Sequence, residues 1–161
     1  MVKNSTPRFF EDVEIGDEVA PQSVQLTTPM IIRWCGAAEI RRRVHYDYKY
    51  AVNDLGLPNI VGSGWWTQAR LFKLLHDWVG ESGWVLRIKH EMRGSIYPGT
   101  NITFVGRVTG KSIQVDCGHI ELDVGARQDD GKVLVPAEAT VVLPLRNGRA
   151  LPYPFPICEP K

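Results

Sequence analysis

The stretch that most limits the possible folds is GSGWWTQARLFKLLHDWVG, residues 62–80, because its apolar side chains do not keep to one side of a helix. Trp65, Trp66, Ala69, Leu71, Phe72, Leu74, Leu75, Trp78 and Val79 cover more than half of a helical wheel. Such a helix is expected to be surrounded by protein on most sides. The material to surround it follows at once. From about residue 84 the periodicity changes from helical to two-fold: in WVLRIKHEMRG, Trp84, Leu86, Ile88 and Met92 alternate with Arg87, Lys89, Glu91 and Arg93, which predicts a strand with one wet side and one buried side. YPGTNITFVGRVTGK continues it after a Pro-Gly turn at 98 and 99. SIQVDCGHIELDVGAR and VLVPAEATVVLPL read as two more strands, separated by the turn QDDGK.

Upstream of the long helix the elements are short. FFEDVEIGDEV reads as an irregular opening segment leading into a strand near 18–27. In TTPMIIRWCGAAE, Thr28 is a fitting N-cap with Pro29 at the first helical position, and Met30, Ile31, Trp34, Cys35 and Ala38 share a face, which predicts a helix from 29 to about 38. YDYKYAVNDLGLP predicts a second short helix that starts close to Asp47 and is stopped by Gly56 and Pro58. The last stretch, 146–161, carries four prolines and is expected to be an extended strap. No repeat is present, and 161 residues fit one domain, 1–161, of the α+β class in which an antiparallel sheet wraps a central helix.

Composition narrows the function classes. An apolar share of 43% with 23% charged residues is that of a globular domain, and no run approaches the roughly 18 apolar residues of a membrane span. The N-terminal residues lack the apolar stretch of a secretory signal, so a cytoplasmic location is expected. A net charge of +1 supplies no field toward a polyanion, which argues against nucleic acid as a partner. The cluster Arg41, Arg42 and Arg43 reads first as a solvated face and second as a phosphate contact. Cys35, Cys117 and Cys158 are too few and too widely spaced for a disulfide framework and are expected to be buried thiols. His76, His90 and His119 have no metal-ligand spacing, so neither metal nor other cofactor is expected; His90 shares the inward side of its strand with Ile88 and Met92.

Several pieces in their order, FFEDVEIGDEV, LTTPMIIRWCGAAE, HYDYKYAVNDLGLP, VGSGWW and YPGTNITFVGRVTGK, resemble the MaoC-like hydratases and dehydratases of the hotdog fold over roughly residues 9–145. The resemblance implies water added to, or removed from, an enoyl/3-hydroxyacyl thioester carried on coenzyme A or acyl carrier protein. It also implies a homodimer or higher assembly with the site at the interface. That chemistry needs a base for the water, an acid for the adjacent carbon and donors for the thioester oxygen. His45, in the position of the family's HxD, is the expected base, with Asp47 capping the helix that follows. Gly64 matches the oxyanion glycine at a helix start, and Ser63 beside it adds a hydroxyl. Trp65, with Trp66, would narrow the acyl tunnel or pack in the core. Arg87, Lys89 and Arg93 are weak candidates for coenzyme A phosphates.

The match is incomplete. In the family motif GDxNPxHxD the catalytic aspartate falls on Ile40, the asparagine on Arg42 and the proline on Arg43. Three accounts follow. Glu39, next door, supplies the carboxylate, or His45 works alone; or the chain is an acyl-binding partner in a heteromeric hydratase. RRRVHYD is also similar to the divergent RIHYD of the methylfumaryl-CoA hydratase group, which implies an acyl group with its own carboxylate paired to an arginine such as Arg42 or Arg43. A thioesterase is a further alternative within the fold.

Overall fold

The computed structural model describes residues 7–148, 150 and 151. Cys158 and most of the expected strap lie outside the described residues. The chain forms β1 (Glu18–Gln25), α1 (Thr28–Ala37), α2 (Gly64–Val79), β2 (Trp84–His90), β3 (Asn101–Gln114), β4 (Cys117–Gln128) and β5 (Val133–Leu143). The five strands make one antiparallel sheet in the order β1-β3-β4-β5-β2. The α+β class and the hotdog arrangement, a sheet curved around α2, are therefore as expected. No helix among the described residues is long and apolar enough to cross a membrane.

The inward rows of the sheet explain the core. Ile88, Ala139, Leu122 and Val108 are register partners across β2, β5, β4 and β3, and the last three are at most 2% exposed. Against such rows α2 sets Trp66, Thr67, Leu71, Leu74, Leu75, Trp78 and Val79, all buried. Trp66 meets Phe104 of β3 edge to face, with ring centroids 6.1 Å apart, a geometry that aromatic quadrupoles favour. The outward row, Lys89, Glu138, Asp123, Arg107 and Glu18, is charged throughout.

Three expectations need correction. α1 is capped by Thr27, whose hydroxyl accepts from Met30 N–H, and not by Thr28; two adjacent threonines make the choice invisible to spacing. SIQVDCGHIELDVGAR is not one strand: β3 runs to Gln114, and Val115 and Asp116 form a two-residue hairpin with φ of 49° and 61°. This is the left-handed pair a type I′ turn demands, without the Asn-Gly signature that would announce it. On β2 the register shifts between Val85 and Arg87, so Val85, Ile88 and His90 lie inward while Trp84 and Leu86 are 47% and 44% exposed. A bulge inserts one residue and reverses the alternation beyond it. The open side of α2 matches this: Trp65 and Phe72 are 68% and 47% exposed, so the sheet of one chain does not enclose the helix on every side.

Candidate active site

Every piece of the site comes from a segment ending or starting beside the N-terminus of α2. α1 closes with the N–H of Ile40 donating to the carbonyl of Cys35 across Glu39, whose φ is 49°. This is the six-to-one bond of a Schellman ending, with Glu39 in the left-handed position usually given to glycine. The motif turns the chain so that Ile40 packs against the core and Glu39 points to solvent. A single 3-10 turn, Arg43–His45, then carries the histidine.

His45 is held from both sides. The Val61 N–H donates to the Val44 carbonyl at 3.1 Å, tying the turn to the segment that leads into α2. The His45 Nδ1 lies 2.8 Å from the Val61 carbonyl oxygen. A carbonyl can only accept, so Nδ1 carries the hydrogen and the neutral ring presents the Nε2 lone pair. That is the tautomer a general base requires.

Asp47 is occupied by structure. One carboxylate oxygen accepts from the Tyr50 N–H at 3.0 Å, and the other accepts two hydrogen bonds from the Arg43 guanidinium, at 3.0 and 2.8 Å. The Tyr50 N–H first, and Arg43 second, hold the Asp47 carboxyl below its ordinary range. Arg43 also lies over the Tyr50 ring, 4.2 Å from its centroid. The turn after Asp47 continues as a π-helical stretch, Tyr50–Asp54, where a short α-helix was expected.

The glycines of VGSGWW have different duties. A Cβ on Gly62 would sit 2.8 Å from Leu26 and 3.2 Å from the Ile96 carbonyl, so this glycine is required by packing. A Cβ on Gly64 would meet nothing closer than the flexible Met92 side chain, at 3.4 Å. Ser63, 5% exposed, is the N-cap residue without a side-chain cap; its carbonyl accepts from the N–H groups of Trp66 and Thr67. The N–H groups of Gly64 and Trp65 find no acceptor among the described residues, as the first amides of a helix do not. With the helix dipole behind them they favour a developing negative charge.

These parts open onto one cavity of about 600 Å³. His45, Ser63, Gly64 and Trp65 line it, with Ile40, Arg41 and Arg42 from the loop after α1 and His90 and Met92 from the end of β2. Of the residues singled out in the sequence, Glu39 and Arg43 stand outside this lining, the first exposed and the second turned to Asp47. Arg41 and Arg42 have no carboxylate partner among the described residues. The presence of His90 in the same cavity as His45 was not anticipated; its inward placement on β2 was the available signal. His76 lies on the exposed side of α2, and His119 sits in β4 where burial lowers its pKa. Cys35 and Cys117 are buried, as expected, and burial raises the Cys35 thiol. A second groove of about 510 Å³ adjoins the cavity at Trp65, lined by Trp34, Phe72, Val85, Leu86 and Ile88 among others.

No family model matches the sequence, and no curated protein matches it either. Solved structures do. The (R)-hydratase from A. caviae involved in PHA biosynthesis is 19% identical, with a TM-score of 0.73, over 83% of this chain and 99% of that one. A MaoC-like dehydratase from Rhodospirillum rubrum is 20% identical, with a TM-score of 0.72, over 86% and 98%. A chain of the ChsH1-ChsH2 complex from Mycobacterium tuberculosis is 21% identical, with a TM-score of 0.70, over 81% and 98%. The chain has the hotdog fold of the MaoC-like dehydratases and (R)-hydratases.

Proposed function

We propose that this chain is a MaoC-like hydratase or dehydratase that adds water to, or removes it from, an enoyl/3-hydroxyacyl thioester, with acyl-CoA as the expected carrier and acyl carrier protein as the other. The observation that carries the reading is the pairing of an oriented base with a free helix N-terminus in one cavity. The Val61 carbonyl fixes His45 with Nε2 as acceptor, and Gly64 leaves its N–H open to an acyl carbonyl. In the hydration direction His45 Nε2 takes a proton from water while the oxygen attacks C3. The charge that reaches the thioester oxygen is met at the Gly64 N–H, with the Ser63 hydroxyl beside it. Trp65 forms part of the wall for the acyl group.

Arg41 and Arg42 give that wall a positive charge and two unpaired forks, which suits an acyl group with a carboxylate of its own. Arg43, committed to Asp47 and Tyr50, supports the turn from outside. The exposed apolar side chains of Trp65, Phe72 and Leu86, which line one groove beside the edge strand β2, favour a dimer through this face. The same face, together with Ile40 in place of an acid, favours as second reading an acyl-binding subunit of a heteromeric hydratase. No acid among the described residues lines the cavity to direct water at the carbonyl, so a thioesterase is the weaker alternative.

The test is incubation of the purified chain with crotonyl-CoA and with a mesaconyl-type thioester, following loss of enoyl absorbance and release of free thiol. Hydration without thiol release is expected. Thiol release indicates a thioesterase instead, and activity that appears only with a second hotdog subunit indicates the heteromer.

A further inference from the structure

Hydration of an enoyl thioester moves two protons: one leaves the water and one arrives at C2. Among the described residues that line the cavity there is no carboxylate. Ile40 holds no proton, the guanidinium groups of Arg41 and Arg42 do not release theirs in a protein, and the Ser63 hydroxyl is too weak an acid near neutrality. Two imidazoles remain, His45 and His90, and they enter from different elements.

The position of His90 is fixed by the sheet. It is the last residue of β2, paired with Ala137 of β5, which in turn pairs with Val124 of β4. Ala137 and Val124 are buried, 5% and 3% exposed, so the row faces the core side. Two residues on, Met92 lies 3.4 Å from where a Gly64 side chain would stand, which brings this end of β2 to the N-terminus of α2. The His90 ring makes no hydrogen bond or ion pair among the described residues. A half-buried, unengaged imidazole in the same cavity as the open Gly64 N–H has no packing role that leucine would not fill better.

We infer that His90 is the second proton-transfer group of this site, standing in for the acid that Ile40 replaces; the inference rests on the hydratase reading above. In hydration, His45 Nε2 accepts a proton from water as the water oxygen bonds to C3. The C2–C3 π pair shifts between C2 and C1, and the carbonyl pair moves onto the oxygen held at Gly64. The His90 imidazolium then gives its proton to C2 as the carbonyl re-forms. His45 leaves the cycle protonated and His90 neutral, and one proton passes between them through solvent, so the net change is H and OH added across the double bond. Dehydration is the reverse.

The experiment compares wild type, His45→Ala, His90→Gln and His90→Ala in hydration of the better of the two thioesters. His90→Gln is expected to lower kcat about 100-fold or more, the range of one acid–base group, with KM within about 3-fold of wild type. Added imidazole is expected to restore part of the activity of His90→Ala in proportion to its concentration, which a loss of packing would not allow. Activity of His90→Gln within about 3-fold of wild type, or a loss in His90→Ala that imidazole does not lift, overturns the assignment while the hydratase reading stands. A wild type without turnover overturns that reading and this assignment with it.

Discussion

At the scale of single residues, the structure separates side chains that stand together in the sequence. Glu39 and Ile40 are neighbours, yet the Schellman turn sends one to solvent and the other into the cavity wall. Glu39→Gln is therefore expected to leave kcat/KM within about 2-fold, and Glu39→Gly to stabilise the chain by up to about 1 kcal/mol through relief of the left-handed φ. A fall in kcat/KM of more than about 10-fold for Glu39→Gln would return the carboxylate to the mechanism. The two glycines divide in the same way. Gly62→Ala forces Leu26 and the Ile96 carbonyl apart and should cost about 1–3 kcal/mol in denaturant unfolding. Gly64→Ala meets only Met92, so stability should hold while kcat/KM falls about 10- to 100-fold as the methyl crowds the oxyanion position. The reverse pattern would make Gly64 a packing residue. The HYD sequence was enough to expect Asp47 as a cap and His45 at the cavity, but not the Val61 carbonyl that orients His45, since a backbone acceptor leaves no mark in the side-chain pattern.

At the scale of elements, the sequence predicts α2 as enclosed because amphipathicity counts apolar residues without saying whose surface covers them. One chain covers the side that carries Trp66, Leu71, Leu74 and Trp78, and leaves Trp65 and Phe72 outside. β2 lies at the sheet edge with Leu86 beside that same open side, and the bulge between Val85 and Arg87 is what puts Trp84 and Leu86 outward. Periodicity found the strand but could not find its bulge, which depends on the partner strand. Wild type should sediment as a dimer or larger, and Leu86→Glu with Phe72→Glu should sediment as a monomer of unchanged secondary structure. A monomeric wild type at tens of micromolar would mean that this face has another occupant.

At the scale of the whole molecule, the long apolar helix followed by alternating strands was enough to expect a sheet curved around a helix, and solved structures at 16–21% identity share that fold. The candidate site was only half legible, because a motif without its aspartate marks a place without saying which other side chains share the cavity there. His90 enters the same cavity from β2, where no local pattern links it to His45. On the proposed function, His45, oriented by the Val61 carbonyl, is the base of an enoyl thioester hydratase. The most direct test is kcat/KM for hydration by wild type and His45→Gln in parallel. Wild type is expected to turn over measurably and His45→Gln to lose about 100- to 10,000-fold at unchanged thermal stability; equal rates in the two proteins would remove His45 from the chemistry.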